Sequence, residues 1–469
     1  MEISKMANSK RFIKKFFKGN VVFFIFLILF AWGWWFVATS PKFERTPPSI
    51  ETPNMSYYNL KWDIPVILSD ESGIRGYEVA LVSKDGEKIL LNRKAGDKKE
   101  VRFNLPIPKM NIKNGDKLTY KITARDSSNY SFFMGNKSVQ TLEMTIDTQL
   151  PQVNIIQMSN VIIKGGAAAV IFYANDDALA NISLTNGFQS FVAFPFYKPH
   201  YYIGIIPWHI HNPNFNGAII AQDKAGNARR FSINFMRYNR NYRVSNIPLK
   251  QAFIDGKITE MIENENVRAL DSFEDEIAKF RYVNEGFRAK DSRIIENKIL
   301  NSEREIGGFE VFKPTGSARV VGLFGDYRKF SFNRIEAGES YHLGVDLAGF
   351  KNMPITASND GVVVLSEEMG IHGNAIIIEH GYGVASLYAH LSESFVKEGD
   401  FVKKGDIIAK SGATGLAFGD HLHFSMLLQG VPSVANEWMD SRWLKTNIND
   451  IINNAKEIID SNDAQDSAI

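Results

Sequence analysis

Two histidines stand two positions apart in FGDHLHFSM, residues 418–426. Side chains at positions i and i+2 of a β-strand point to the same face of the sheet, so His421 and His423 are expected to lie side by side, with Leu422 on the other face. Two buried imidazoles without hydrogen-bond partners are unfavourable, which favours a metal ion between them. A His-x-His pair alone is a weak signal, and this interpretation requires further ligands.

The stretch YHLGVDLAG supplies two such residues, His342 and Asp346. A separation of four residues places both side chains on one face of a strand, and also on one face of a helix. With His423 they form a set of two imidazoles and one carboxylate, as in catalytic zinc sites that leave the fourth position to water. The stretch SLYAHL adds another histidine, His390.

The segments around these histidines predict β-structure. The Asp-Gly pair at 360–361 and the Gly-Asp pairs at 399–400 and 405–406 mark turns between short apolar runs. We therefore expect the site residues on strands and strand ends, which are rigid supports for a site. The chain has no cysteine, which excludes thiolate nucleophiles, disulfides and cysteine-ligated zinc.

Six stretches in this region resemble, in sequence and in order, the lysostaphin/LytM-type zinc endopeptidases of peptidoglycan. They are GLFGDYR (322–328), HLGVD (342–346), ASNDGVVV (357–364), LYAHL (387–391), VKKGDIIAKSGATG (402–415) and GDHLHFSM (419–426). The resemblance implies that His342, Asp346 and His423 bind one Zn²⁺. It also implies that His390 and His421 are catalytic histidines that do not bind the metal.

The implied reaction is hydrolysis of a peptide cross-link in peptidoglycan. Zinc polarises the scissile carbonyl and lowers the pKa of its water to about 7. One of His390 and His421 takes the proton and returns it to the leaving amine, and the other stabilises the charge that develops on the carbonyl oxygen. Sequence does not assign these two roles. Tyr341 and Tyr388 are the candidates for the tyrosine that some family members hold near that oxygen.

The first forty residues predict a membrane anchor. Residues 1–20 carry six Lys and Arg against one Glu, and Val21–Thr39 carries no charge. Nineteen residues at about 1.5 Å each nearly span a hydrocarbon core of about 30 Å, and the tryptophans lie towards the far end, where an interfacial belt is expected. A cleaved signal peptide is the alternative, although its apolar core is usually shorter. We expect a single-pass protein of the cytoplasmic (inner) membrane with its catalytic domain in the periplasm or extracytoplasmic space.

The predicted fold is mainly β. Between about 53 and 245, short alternating runs are separated by turn signals, and ITARDSSNY recurs as IIAQDKAGN, which aligns Asp126 with Asp223 at a spacing of 97. This part resembles tandem bacterial Ig-like modules. The predicted segments are a basic cytoplasmic tail (1–20), a transmembrane helix (21–39), a linker (40–52), two Ig-like β-sandwiches (53–147 and 148–245), a helical connector (246–308), an antiparallel β LytM-type zinc peptidase domain (309–447) and a C-terminal tail (448–469). This tail is expected to begin as a short helix and to fray into a polar end.

The helical connector has two interpretations. Apolar residues recur at three- and four-residue steps, among them Ile258, Met261, Ile262, Leu270, Phe273, Ile277 and Phe280. The segment is either an amphipathic spacer or a cover of the catalytic groove. In the second case Glu263, Glu265 or Glu274 would lend the metal a fourth ligand.

The remaining histidines are not predicted to bind metal. His209 and His211 repeat the spacing of the first pair, but no further ligand pattern stands near them and Pro213 interrupts the run. His380 is expected to cap a turn or shape the cleft. His372 lies in a glycine-flanked loop and is expected to be exposed, in reach of substrate.

Two other functions compete with this prediction. VKEGDFVKKGDIIAKSGATG is also typical of half a lipoyl-type barrel in efflux-pump adaptors, but no heptad run for their coiled-coil hairpin is present. Some LytM-type proteins have lost ligands and only activate cell-wall amidases, whereas all five site positions stand here. The expected partners are peptidoglycan cross-bridge peptides, the membrane, and cell-wall or division proteins bound through the Ig-like modules. A net charge of +2 gives no reason to expect a nucleic acid.

Overall fold

The computed structural model describes residue 21 and residues 23–84, 86–266, 272–299, 308–316 and 318–466. The chain divides into two compact units. One comprises the residues up to Gln149 with Lys224–Asn227, and the other comprises Leu150–Asp223 with the residues from Ala228 onward. The predicted basic tail, 1–20, lies outside the described residues.

The first unit contains a helix at residues 23–39 (α1) and a β-domain. Within the described chain, no helix combines the length and the apolar character needed to cross a bilayer. The later elements of this unit are β1 (Ser49–Glu51), β2 (Tyr57–Tyr58), β3 (Pro65–Ser83), β4 (Gly86–Asn104), β5 (Lys117–Asp126), the helical turn α2 (Tyr130–Phe133) and β6 (Lys137–Ile146). The strand order is β1–β3–β5–β6–β2, with β4 paired to β3.

Alternating side chains of the first β-domain face one core. Leu68, Tyr120 and Ile122 are among its fully buried residues. Asp126, the first residue of the aligned pair, ends β5, and its Oδ1 accepts hydrogen bonds from the backbone N–H groups of Ser128 and Asn136. The segment is therefore all-β, and its identification as an Ig-like module stays a prediction.

The second unit begins with another β-domain. Its strands are β7 (Gln152–Met158), β8 (Val161–Ile163), β9 (Ala167–Asn175), β10 (Leu179–Thr185), β11 (Ser190–Val192), β12 (Phe194–Pro195), β13 (Tyr201–Pro207), β14 (Ala218–Asp223), β15 (Ala228–Ser232), β16 (Met236–Tyr238) and β17 (Val244–Leu249). Two four-stranded sheets, β11–β10–β14–β15 and β12–β13–β9–β7, enclose a common core. The all-β prediction holds here as well, and the Ig-like identification again stays a prediction.

Strand β9 is buried on both faces, which explains its continuous apolar run. Val170 and Phe172 point into the sandwich core, whereas Ala169 and Ile171 belong to a core that is shared with the C-terminal β-domain (residues 318–434). This sandwich therefore packs directly against the domain that carries the site.

Helices follow β17. They are α3 (Gln251–Phe253), a π-helical turn (Ile254–Ile258), α4 (Thr259–Asn266), α5 (Glu276–Arg281), a second π-helical turn (Tyr282–Phe287) and α6 (Arg288–Ile299). Ile258, Met261, Ile262 and Phe280 are buried, and Leu270 lies outside the described residues. The helices share a core with Phe330, Ala337 and Ile371 of the C-terminal β-domain, so they pack against this domain.

The C-terminal β-domain (residues 318–434) is antiparallel. Its strands are β18 (Arg319–Gly322), β19 (Tyr327–Phe332), β20 (Ile335–Tyr341), β21 (Val345–Ala348), β22 (Pro354–Thr356), β23 (Gly361–Met369), β24 (Gly373–Gly381), β25 (Val384–Ser394), β26 (Phe401–Val402), β27 (Ile407–Ser411), β28 (Leu422–Leu428) and β29 (Val431–Ser433). The main sheet has the order β18–β21–β28–β25–β24–β23–β26, and β19 pairs with β20 and, in parallel, with β17.

The C-terminal segment contains a helix, as expected, but this helix is longer than the predicted short one and is docked. The segment forms α7 (Ala435–Trp438), α8 (Ser441–Leu444), a π-helical turn (Lys445–Asn449) and α9 (Asp450–Asp466). Ile452, Ala455 and Ile459 of α9 recur at three- and four-residue steps and so lie on one helix face. This face is fully buried in the core that the C-terminal β-domain shares with β9. The segment is a docked helix, and only 467–469 lie outside the described residues.

Candidate active site

Strand pairing brings the three predicted ligands together. Asp346 of β21 lies directly opposite His423 of β28, so both side chains emerge on the same face of the sheet. His342 lies between β20 and β21. Its Nε2 is 2.8 Å from Asp346 Oδ1 and 3.0 Å from His423 Nδ1, and the last two atoms are also 3.0 Å apart.

Hydrogen bonds on the far side of each ring orient both imidazoles. The Nδ1–H of His342 donates to the carbonyl oxygen of Leu323 at 2.9 Å. The Nε2–H of His423 donates to Ser425 Oγ at 2.9 Å, and this hydroxyl in turn donates to the carbonyl oxygen of Leu343. Both inward nitrogens therefore carry lone pairs, and they face a carboxylate oxygen.

Two nitrogen lone pairs and a carboxylate oxygen about 3 Å apart in a buried site repel one another unless a cation lies between them. The residues therefore fit a metal. Ligand atoms at about 2.0–2.1 Å from Zn²⁺ in a tetrahedron lie roughly 3.3 Å apart, close to the separations found here. Asp346 Oδ2 accepts a hydrogen bond from Arg328 Nη2 at 3.2 Å, so both carboxylate oxygens are engaged.

The two predicted catalytic histidines lie beside this group, with their rings 4.8 Å apart. The Nδ1–H of His390 donates to the carbonyl oxygen of Thr414, and that of His421 donates to the carbonyl oxygen of Gly419. Each ring thus keeps its Nε2 for substrate or water. His421 Nε2 is 3.6 Å from Asp346 Oδ1, which confirms that His421 and His423 share a face.

Electrostatics differ between the two histidines. Burial lowers the pKa of His390 well below its usual range, and the nearby His423 and His421 lower it further. Burial also lowers the pKa of His421, but the negative charge of the Asp346 carboxylate, 3.6 Å from Nε2, outweighs burial and raises it. The pKa of His390 is therefore lowered, whereas that of His421 is raised.

A β-bulge turns His390 towards the cleft. Between the pairs Tyr388–Ile376 and Leu391–Asn374, strand β25 has one more residue than β24, and His390 has a φ of 63°. Tyr388 and His390 therefore do not share a face. Tyr388 is fully buried, and its hydroxyl is bonded to Ser358 and Ser386, so it is not available to a substrate.

The site opens into a cleft of about 1220 Å³. Tyr341 lines it, and its ring contacts Tyr327 at 4.8 Å and His211 of the sandwich at 4.9 Å. Of the two predicted tyrosine candidates, Tyr341 is thus the one at the cleft. His209 lies behind His211, and neither belongs to a metal-ligand group among the described residues.

Glu265 and His380, two residues considered from the sequence, contact residues outside the metal group. Glu265 pairs with Lys290 at 2.5 Å, and within the described chain the group at the metal position includes no glutamate of the helical segment. His380 is fully buried, with hydrogen bonds to Ser386 and the Asp360 carbonyl, and so supports the core.

Three contributors to the site were not predicted, namely Arg328, Ser425 and Asp291. Arg328 stands in the quoted stretch GLFGDYR, where its charge was a usable signal. Ser425 follows the histidine pair at the same strand spacing. Asp291 of α6 accepts a hydrogen bond from His372 Nδ1 at 2.7 Å, and no pattern links these two distant positions. His372 itself lines the cleft, but its side chain is largely buried and not exposed as expected.

Comparisons with known proteins cover the same region. Residues 340–434 match the model of Peptidase family M23. The DD-carboxypeptidase/endopeptidase Mpg of Neisseria meningitidis serogroup B is 36% identical over 137 residues, which are 29% of this chain and 30% of that protein. The peptidoglycan DD-endopeptidase ShyA of Vibrio cholerae is 36% identical over 91 residues, 19% of this chain and 21% of that protein. The chain thus spans less than a third of the length of either relative.

Among solved structures, the catalytic domain of the antimicrobial peptidase lysostaphin from Staphylococcus simulans is 29% identical, with a TM-score of 0.23. The match covers 26% of this chain and 93% of that chain.

Proposed function

We propose that this chain, whose residues 340–434 match the model of Peptidase family M23, is a zinc-dependent endopeptidase that hydrolyses peptide cross-links of peptidoglycan. The observation that carries the proposal is the buried group of His342, Asp346 and His423, whose lone pairs and charge converge on one point. The names of the two relatives support a D,D-bond as the target. We accordingly take the link between D-alanine and diaminopimelate as the bond to be cut.

The mechanism follows from the orientation of the side chains. When bound, Zn²⁺ supplies Lewis acidity that polarises a carbonyl and acidifies water. His390 and His421 hold their Nδ1–H groups against backbone carbonyls, so proton transfer takes place at Nε2 of either ring. One ring accepts the proton of the attacking water and donates it to the leaving amine. The other stabilises the negative charge on the carbonyl oxygen. Because both rings are fixed before substrate binds, little reorganisation accompanies the reaction.

The anchor and location are part of the same proposal. The uncharged stretch Val21–Thr39 after a basic flank supports a single membrane-spanning helix with the catalytic domain outside the cytoplasm. A tethered enzyme of this kind would act on the cell's own wall, in remodelling, division or cell-shape control. The modules upstream would bind cell-wall or division proteins.

The second candidate, a non-hydrolytic activator of amidases, is less well supported. Such proteins lack ligands, whereas the three ligand atoms here lie within 3.0 Å of one another and two oriented histidines stand next to them.

The test uses the full chain in detergent, loaded with zinc, on purified cross-linked muropeptide dimers. We expect monomeric muropeptides as products, and mass spectrometry identifies the new ends. Dimers that stay intact with the wild-type chain, together with stimulation of an added amidase, would support the activator instead.

A further inference from the structure

A buried carboxylate from the helical segment reaches the edge of the active site. Asp291 of α6 is fully buried, and its Oδ2 accepts hydrogen bonds from His372 Nδ1 at 2.7 Å and from the backbone N–H groups of Ile371 and His372 at 2.9 and 3.3 Å. The helices upstream of the catalytic domain therefore contribute directly to the turn between β23 and β24.

His372 stands at the cleft beside the metal group. Its ring packs edge-to-face against that of His423 at 5.9 Å, and it lines the same cleft as His390 and His421. The carbonyl oxygen of His372 accepts the backbone N–H of His390 at 2.8 Å. Because Nδ1 is engaged by Asp291, Nε2 is the remaining polar atom, and within the described residues it has no hydrogen-bond partner.

A purely structural role does not account for this arrangement. Asp291 could hold the turn through the two backbone N–H groups alone, without an imidazole. Its Oδ1 is buried with no hydrogen-bond partner in the described chain, which is unfavourable for stability. A histidine whose tautomer and orientation are fixed by a carboxylate is, in contrast, the usual device for presenting one nitrogen to a reacting partner.

The geometry points to His372 as a further substrate-binding residue, with Asp291 as its positioning residue. Resting on the function proposed above, the inference is that His372 Nε2 forms a hydrogen bond with the backbone of the cross-link peptide next to the scissile bond. The helical segment is then neither a plain spacer nor a source of a fourth metal ligand. It completes the substrate site.

The experiment measures kcat and KM of the full zinc-loaded chain on a cross-linked muropeptide dimer. The variants are His372→Ala, His372→Gln and Asp291→Asn, and zinc content and thermal unfolding are recorded for each. His200→Ala is the control, since His200 is an exposed histidine outside the cleft. The loss of one hydrogen bond should raise KM about tenfold in His372→Ala, with kcat within threefold of wild type and zinc retained. His372→Gln, which keeps a polar group, should recover part of the loss, and Asp291→Asn should fall between wild type and His372→Ala.

Four outcomes would overturn the inference. They are a wild-type KM in His372→Ala, an equal change in His200→Ala, no recovery in His372→Gln, and loss of zinc or folding in both His372 variants, which would make the imidazole structural. These outcomes presuppose a wild-type chain that cleaves the dimer. A wild-type chain that cleaves none would overturn the proposed function itself, and the two failures are thereby distinguished.

Discussion

Replacing Ser425 by alanine removes the acceptor that fixes the tautomer of His423. The hydroxyl accepts the Nε2–H of His423 at 2.9 Å and lies in a site that is only 2% exposed, so water does not readily replace it. The unpaired N–H would cost about 1–3 kcal/mol. The ring then favours the alternative tautomer, whose proton sits on the inward Nδ1, where it opposes metal binding. We expect zinc affinity to fall about 10–100-fold, the usual effect of losing such a partner.

The assay is competition for zinc against a chromogenic chelator at pH 7, with the cleavage rate measured at saturating zinc. Ser433→Ala is the matched control, because Ser433 is also buried in this sheet region but its hydroxyl has no hydrogen-bond partner among the described residues. The control should keep wild-type affinity. A Ser425→Ala chain that binds zinc within twofold of wild type, or an equal loss in Ser433→Ala, would show that Ser425 does not hold the tautomer of His423.

Three further predictions concern single side chains. His423→Ala should lose both zinc and cleavage, whereas His421→Ala should keep zinc and lose most cleavage; metal analysis decides, and equal zinc loss would contradict the division of roles. Tyr388→Phe should lower the free energy of unfolding by about 1–2 kcal/mol in urea melts, because its hydroxyl forms hydrogen bonds only within the core, and kcat should not change. A kcat loss above a hundredfold would instead indicate that Tyr388 stabilises the charge on the carbonyl oxygen. Burial raises the pKa of Glu437 to about 8, so the protonated form stabilises the fold fully below about pH 4.5 and this contribution declines as the pH rises through 8. Glu437→Gln should therefore be more stable than wild type by about 1–2 kcal/mol at pH 9 but not at pH 4.5, and equal urea midpoints at pH 9 would contradict this.

The metal group could be predicted because its ligands follow local rules. His421 and His423 share a face through the two-residue period of a strand, and His342 and Asp346 occur within five residues of each other. The resemblance of the surrounding stretches to LytM-type endopeptidases then indicated that His423 binds the same metal ion as His342 and Asp346. What the sequence did not contain is the register that places Asp346 opposite His423.

The two-residue period of a strand does not predict the direction of a side chain where the backbone forms a β-bulge. Tyr388 and His390 are two residues apart, so regular alternation would place them on one face, but the bulge between them turns the tyrosine into the core and the histidine into the cleft. A β-bulge depends on how the partner strand is paired, and that information is not local.

Long-range packing accounts for the other differences. Nothing in the helical segment distinguishes Asp291 from its other acids, and only the docking of α6 brings it to His372. Likewise, the sequence predicts only a short helix that frays after residue 450, and its docking depends on a core that buries Ile452 and Ile459. In each case the deciding partner lies far away in the chain.

Zinc-dependent cleavage by one site is most directly tested in a single titration. The full chain is stripped with a chelator, zinc is added in known amounts, and release of monomers from a cross-linked muropeptide dimer is followed by mass spectrometry. We expect no cleavage without metal, a rate that rises linearly up to one zinc per chain, and no recovery in the Asp346→Asn variant. Full cleavage by the stripped chain, or equal recovery in that variant, would show that the proposed zinc site does not carry the reaction.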